Sequence, residues 1–429
     1  MRWENWSGSV VCDPQVIEAP STQDEIIEIV KRATEAGKNI RVVGSGHSFT
    51  PLVQTNEILM TLDNYQGLLH VDKEAAQVTI KAGTKIKRLS EILFEHGLAQ
   101  ENLGDIDVQS IAGAISTGTH GTGANLGTIA TQVIGIKLIT ASGDVVECSH
   151  THNVEIFKAA QISLGALGII SEVTLQCVPA YRLHYVWKKL DLEDVFANLE
   201  QYKSENRNFE FFWIPYTSAT MCKFLNITEE PAKPKNRFRQ FNEVVIENGV
   251  LWLFCQTARM FPSASSRIAK IMSGLISGGS DVQYSHQIFA TTRAVKFQEM
   301  EYNIPVEHFE DCLREIDATI REKNIDVMFP IECRFIKGDD IPLSPATERD
   351  SAYIAVHMNK GMPHEAYFSA IEAIFVKYNG RPHWGKIHTR VASDFETLYP
   401  QWEQFQKVRQ TLDPSDTFLN SYLRKTLIH

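Results

Sequence analysis

The sequence lacks any apolar run approaching the roughly 18 residues that span a bilayer. Its closest approach, Gly249–Cys255 (GVLWLFC), is far too short. No transmembrane segment is expected. The first residues, Met1-Arg-Trp-Glu-Asn-Trp, hold no apolar h-region, so no signal peptide is expected either. Basic charge is in deficit: 42 Lys and Arg stand against 52 Asp and Glu, a net charge of −10. That argues against non-specific nucleic-acid binding, which needs a basic face. A CxxC pair is missing too. The seven cysteines, Cys12, Cys148, Cys177, Cys222, Cys255, Cys312 and Cys333, are odd in number and dispersed. They read as reduced thiols of a cytoplasmic protein, without a zinc site or disulfide framework. Heptads, charge blocks and repeats are absent, which excludes a coiled coil or a largely disordered chain. What remains is 429 residues of ordinary globular composition, 43% hydrophobic and 22% charged, enough for two domains.

The first 175 residues alternate short apolar runs with amphipathic stretches. Pro20-Ser-Thr-Gln-Asp-Glu is a helix start, with Ser21 or Thr22 as cap and acidic residues in the first turn. Ile26, Ile27, Ile29, Val30 and Ala33 then form a helical stripe that Gly37 ends. Strands are predicted at Ile40–Val43, Ile58–Leu62, Ala76–Ile80, Val133–Thr140 and Val145–Cys148. From about Cys177 the texture changes. Strands at Tyr185–Lys188, Phe209–Trp213, Val327–Phe335 and Ala352–Met358 alternate with helices, one of them over His364–Lys377. Residues 229–240 (EEPAKPKNRFRQ) read as a surface loop. A boundary is placed near residues 175–180, giving domains 1–177 and 178–429.

Three glycine-rich segments fall in the first domain. Gly44-Ser-Gly-His-Ser follows a strand, where glycines free several amides to face one phosphate and Ser48 adds a hydroxyl. The plain alternative is a tight turn. A nicotinamide-dinucleotide GxGxxG would need glycine at position 49, where Phe49 stands. Gly118-Thr-His-Gly-Thr-Gly could clamp the same pyrophosphate from a second side. Ser163-Leu-Gly-Ala-Leu-Gly-Ile-Ile is small and apolar, suited to a flat ring or a ribose.

In the second domain, Glu332-x-Arg334 lies on a predicted strand, so both side chains share a face. The pair is either a structural ion pair or a working one. A carboxylate can orient or deprotonate a hydroxyl, and a guanidinium can stabilise a developing oxyanion.

VVGSGHSFTPL, NLGDIDVQSIAGAISTGTHGTG and SLGALGIISEVTL together resemble the FAD domain of vanillyl-alcohol-oxidase-type flavoproteins. PIECRFIKGDDIPLSP at 330–345, GRPHWGKIH at 380–388, LDPSDTFLNSYL at 412–423 and Asn5-Trp6 extend the resemblance nearly end to end. Within that group the chain is similar to the aldonolactone oxidases, the L-gulono-1,4-lactone and D-arabinono-1,4-lactone oxidase family.

The resemblance implies an α+β fold: a two-subdomain FAD-binding domain of the PCMH type, then an α/β substrate domain on a large antiparallel sheet. It implies that the segment after Leu412, about the last 18 residues, packs back toward the FAD domain. It implies a flavin bonded to His47 through its 8α carbon, an imidazole being nucleophilic near neutrality. The FAD contacts it implies are Gly44, Ser45, Gly46, Ser48, Gly113, Ser116, Thr117, Gly118, Thr119, His120, Gly121, Gly123, Gly168 and Ile170. Ser110 is either a residue near the isoalloxazine that touches the substrate hydroxyl or an ordinary loop serine. His120 has no partner at metal spacing, so it takes a backbone or phosphate role and no metal is expected. Glu332, Arg334 and Lys386 form the implied active site, with Lys386 supplying a cation for reduced flavin. Trp384 reads as core, and His388 as a weaker substrate candidate.

The implied reaction is oxidation of a secondary hydroxyl of a sugar-derived lactone. Hydride goes to flavin N5, and dioxygen is reduced to hydrogen peroxide. With L-gulono-1,4-lactone the product would tautomerise to ascorbate. Alternatives are an alditol oxidase acting on xylitol-like polyols, a lactone dehydrogenase with a carrier acceptor, and a non-catalytic flavin- or carbohydrate-binding protein. HWGK, with Gly385, is shared with the alditol oxidases. The animal lactone oxidases are membrane-associated and apolar in mid-domain, whereas residues 236–280 here carry Arg237, Arg239, Glu243, Glu247, Arg259 and Arg267. A cytoplasmic protein, at most peripheral to a membrane, is therefore expected, with its oligomeric state open.

Overall fold

The helix expected after Pro20 spans Gln23–Glu35 in the computed structural model, which describes residues 1–234, 248–289 and 295–428. Thr22 caps it. The Thr22 hydroxyl accepts from the Glu25 amide while the Glu25 carboxylate reaches back to the Thr22 amide, a reciprocal capping box. Ile26, Ile29, Val30 and Ala33 sink into a core shared by two small sheets. One sheet has three parallel strands, in the order Val16–Glu18, Ile58–Thr61, Ile40–Val43. The other has five antiparallel strands, in the order Val145–Ser149, Val133–Ile139, Ile169–Gln176, Gln77–Lys81, Leu68–Asp72.

A third, larger sheet begins at Arg182. Its eight strands run Gly279–Tyr284, Arg182–Asp191, Ala219–Thr228, Asn208–Trp213, Ile331–Ile336, Ser351–Asn359, Phe297–Pro305, Arg381–Pro382, and every adjacent pair is antiparallel. The architecture is α+β with a large antiparallel sheet, as the sequence implied. The strand expected from Val327 starts only at Ile331. Pro330 has no N–H to give to a ladder, so pairing begins just after it.

Strand alternation gives the central strands two chemically different faces. Met300, Tyr302, Ile304, Cys333, Phe335, Ile354 and Val356 pack against the helices Phe309–Glu322 and Glu365–Lys377. The opposite face carries Glu210, Glu299, Glu301, Glu332, Arg334 and His357, all buried. That acidic face is covered by the first unit.

Two seams join the units. Gly123 donates its amide to the Phe335 carbonyl at 2.7 Å, and Asn208 Nδ2 donates to the Thr122 carbonyl at 2.6 Å. The chain's end forms the other. The return toward the first unit begins well before Leu412: Trp384, Phe395, Tyr399, Trp402 and Phe405 already belong to its core, along with Phe418, Leu419, Leu423 and Leu427. The reason is local. The aromatic cluster Trp384, Phe395 and Tyr399 has no place on the acidic sheet face and packs on the first unit instead. Buried Arg41 ties this knot, donating to the carbonyls of Leu52, Leu164, Gly165 and Phe418.

Among the described residues, no helix is long and apolar enough to cross a membrane. The mid-domain stretch is nevertheless more lipophilic on its surface than its charges imply. Helices Asn248–Met260 and Ser265–Leu275, with the turn between them, expose Trp252, Leu253, Met260, Phe261, Ile271 and Leu275. Charge counting misses this because the apolar residues gather on the surface of one helical hairpin. Arg237, Arg239, Glu243 and Glu247 lie outside the described residues.

Candidate active site

Two spaces meet at the loop after the strand Ile40–Val43. The first is a groove of about 1000 Å³, partly open to solvent, walled by Gly44, Ser45, Gly46, His47, Ser48, Gly113, Ser116, Thr117, Gly168 and Ile170. Aliphatic Val42, Val43, Leu62 and Ile169 supply flat apolar walls. The carboxylate on the groove, Asp63, is paired with Lys85 at 2.8 Å, so the walls present a pyrophosphate with no uncompensated negative charge. The φ of +66° at Gly46 turns the loop in a way a side chain would strain. These walls fit an FAD: backbone amides and hydroxyls for the phosphates, small apolar surfaces for the rings.

The second space is a chamber of about 1800 Å³, also partly open, between the first unit and the acidic face of the large sheet. Ser45, His47, Ser48, Gln109 and Thr117 line both spaces. His47 therefore stands at the junction. Trp6 stacks on it, with ring centroids 5.3 Å apart. Burial, with Lys386 and Lys85 nearby, lowers its pKa to about 4, which leaves the imidazole neutral near neutrality.

Register assembles the chamber's charges. Glu210 pairs across the ladder with Arg334, Glu332 and Glu301 both oppose Ala355, and Glu299 opposes His357. Arg334 is held by three carboxylates: Glu210 at 2.8 Å, Asp105 of the first unit at 2.8 Å, and Glu332 in direct contact. Burial works against its charge, but Asp105, Glu332, Glu210 and Glu301 outweigh it and keep the guanidinium protonated. Lys223 completes the group, 2.6 Å from Glu210.

Lys386 reaches the chamber because its loop is fastened to the loop after Ile40–Val43. Phe49 donates its amide to the Gly385 carbonyl at 2.7 Å, and Thr50 Oγ1 donates to the Trp384 carbonyl at 3.0 Å. The Lys386 ammonium lies 2.5 Å from Glu299 and over the Phe49 ring. Burial raises the Glu299 pKa, yet Lys386 and His357 outweigh that and hold the carboxyl well below its usual range. Glu301 is likewise raised by burial but pulled down to about 2, chiefly by His120, with Lys386 and His383 adding to it.

A family model described as D-arabinono-1,4-lactone oxidase matches residues 173–426, and one described as an FAD binding domain matches residues 14–149. The chain belongs to the D-arabinono-1,4-lactone oxidase family. An L-gulono-1,4-lactone dehydrogenase of Mycobacterium tuberculosis is 40% identical, over 99% of this chain and 99% of that one. An L-gulonolactone oxidase of Scyliorhinus torazame is 34% identical, over 99% and 98%. Among solved structures, cholesterol oxidase from B. sterolicum superimposes with a TM-score of 0.82 at 18% identity, covering 99% of this chain and 96% of its own, a likeness of fold alone.

Within this lactone-oxidase-family chain, the structure redistributes several expected roles. Ser110 sits in the groove and caps a helix, its hydroxyl accepting from the Gly113 amide at 3.3 Å. It does not line the chamber. Thr119 and His120 line the chamber rather than the groove, and Gly118, Gly121 and Gly123 line neither. A Cβ on Gly121 would stand 2.2 Å from the Leu103 carbonyl oxygen, so this glycine serves close packing between segments and not a second phosphate clamp. His388 is buried away from the chamber. It takes a 2.8 Å hydrogen bond with the Tyr422 hydroxyl and packs against Phe395. Burial lowers its pKa to about 3. Trp384 is core, as read, its indole donating to the Leu343 carbonyl. His120 does have partners at ligand distance, Glu301 and His383, which the sequence could not bring together.

Sequence patterning did not single out Asp105, Glu210, Glu299, Glu301, His357 or His383. For Glu299-x-Glu301 the signal was present. FQEMEYNIP sets two acids at i and i+2 on an apolar strand, the same pattern that exposed Glu332-x-Arg334.

Proposed function

We propose that this protein oxidises the secondary hydroxyl of an aldono-1,4-lactone, with FAD in the groove and the lactone in the chamber. One observation carries the reading: the groove meets, at His47, a chamber that contains Glu332, Arg334 and Lys386 together. FAD held in the groove would supply the hydride acceptor and, with dioxygen as the final acceptor, hydrogen peroxide as the second product. Glu332 orients the substrate hydroxyl and takes its proton as the carbon gives up hydride. Arg334, kept charged by its carboxylates, faces the oxygen as it gains negative charge. Lys386 places a cation at the junction with the groove, where negative charge on the reduced cofactor is stabilised. Gly44, Ser45, Gly46, Ser48, Gly113, Ser116, Thr117, Gly168 and Ile170 hold FAD in this reading, with the domains divided at 177/178.

His47 is the proposed point of covalent attachment. Its neutral imidazole has a lone pair available over the working pH range. In His47→Ala, flavin is expected to leave on acid precipitation, while in the wild type it stays with the polypeptide. Yellow supernatant from wild-type protein would remove the covalent assignment.

The function is tested by anaerobic mixing with L-gulono-1,4-lactone, L-galactono-1,4-lactone, D-arabinono-1,4-lactone and xylitol in turn, following the visible flavin band. A lactone is expected to bleach it, and admitted air to restore it. Bleaching by xylitol alone would transfer the protein to polyol oxidation. Colour that returns only with an added dye would replace dioxygen with a carrier acceptor.

A further inference from the structure

The chamber wall repeats one arrangement twice. His120 Nδ1 lies 2.8 Å from the Gly121 carbonyl oxygen, and its Nε2 lies 3.3 Å from Glu301 Oε1. His357 Nδ1 lies 3.2 Å from the Pro330 carbonyl oxygen, and its Nε2 lies 3.5 Å from Glu299 Oε1. A carbonyl oxygen only accepts, so each Nδ1 must carry the hydrogen. In a neutral ring the other nitrogen is then a bare acceptor. Here that nitrogen faces a carboxylate, itself an acceptor, and two lone pairs pointed at each other repel. Each pair is satisfied only if one proton lies between Nε2 and the carboxylate, and imidazole is ordinarily the stronger base of the two, which puts that proton on Nε2.

A count of buried charge independently calls for two further protons in this set. The chamber and its wall hold five carboxylates, Asp105, Glu210, Glu299, Glu301 and Glu332, against three fixed cations, Lys223, Arg334 and Lys386. At the mouth, Lys87 and Asp107 add one charge of each sign. Buried uncompensated charge is strongly disfavoured. Two imidazolium ions bring the set to neutrality. His383 is not a third: its Nδ1 accepts the Gly385 amide at 3.0 Å, and burial lowers its pKa to about 3. The Tyr353 ring stacked on His120 at 3.6 Å, and the Phe297 and Phe329 rings beside His357, complete the surroundings and bring no charge.

We propose that His120 and His357 are positioning residues held as imidazolium ions, each clamping one chamber glutamate. Glu301 and Glu299 are thereby fixed as ionised acceptors for the remaining hydroxyls of a neutral polyhydroxy ring. The substrate class rests on the lactone reading above; the protonation of the two rings does not. An electroneutral, acceptor-rich wall favours a neutral lactone over the aldonate anion that its hydrolysis would give.

The test is ring-nitrogen NMR of the full-length flavoprotein with 15N-labelled histidine, at about pH 8, well above the ordinary histidine range. His120→Gln and His357→Gln assign the two signals. Both rings are expected to show the doubly protonated pattern. In either variant KM for the lactone is expected to rise about tenfold to a hundredfold with a smaller change in kcat, the signature of lost binding contacts to a charged group. A neutral tautomer at either ring overturns the proposal, as does a metal ion bound stoichiometrically between Nε2 and Glu301. The ring signals are read without turnover. Failure of every lactone to bleach the flavin would therefore sink the proposed function separately.

Discussion

Arg334→Ala lowers lactone-driven flavin reduction by about a hundredfold to a thousandfold, the scale seen when one donor facing a developing oxyanion is removed. The effect on folding is also large. Arg334 neutralises Asp105, Glu210 and Glu332 at once, and deleting one partner of a buried charge set costs roughly 3–5 kcal/mol. The two losses are separable. Rapid-mixing kinetics per mole of bound flavin reports the chemistry, and urea unfolding reports the stability. Arg334→Lys keeps the charge but cannot reach Glu210 through one nitrogen and Asp105 through another, so it regains stability more than rate. An unchanged reduction rate in Arg334→Ala would remove the guanidinium from the mechanism.

Acid destabilises the protein steeply, starting well above the range where carboxylates titrate. His383 and His388 are both buried with their pKa lowered by desolvation from 6.5 to about 3. Below pH 6.5 the unfolded chain takes up these protons and the folded one refuses them. Stability from both is complete above pH 6.5 and falls as the pH drops toward 3. At one pKa unit per 1.4 kcal/mol, each costs roughly 3 kcal/mol by pH 4. Glu301, lowered to about 2, adds a further loss below the ordinary carboxylate range, since its stabilisation is present above pH 4.5 and disappears toward 2. Urea midpoints measured between pH 7 and pH 4 should fall continuously, and His388→Phe should flatten the curve by its share. A flat profile down to pH 5 would contradict the burial of neutral imidazoles.

The parts legible in the sequence were those written in local period. The capped helix Gln23–Glu35 needed only Thr22, Glu25 and a stripe of isoleucines. Glu332-x-Arg334 was visible because a strand alternates and the two charges interrupt one apolar face. The unreadable parts depend on which strand lies beside which. Glu210 meets Arg334, and His120 meets Glu301, through register and domain packing that no local pattern encodes. Ser110 and His388 show the opposite limit: a motif does not tell which space a side chain reaches, and Ser110 lies on the groove while His388 lies away from the chamber. Each sits inside a motif-bearing segment and takes a local hydrogen bond, from the Gly113 amide and with Tyr422. The GTHGTG cluster looked like a phosphate cradle because glycine serves two purposes alike, and only the closeness of Gly121 to Leu103 tells which one applies.

The late return of the chain toward the first unit sets an order of events during synthesis. Trp384, Phe405, Phe418 and Leu423 complete a core whose other members, such as Ile29 and Leu138, leave the ribosome hundreds of residues earlier. Until those last segments emerge, Arg41 lacks the Phe418 carbonyl, and the loop bearing His47 lacks the Gly385 carbonyl that anchors Phe49. The nascent chain therefore waits with an unfinished cofactor site, and flavin loading follows the docking of residues 384–427 onto the first unit.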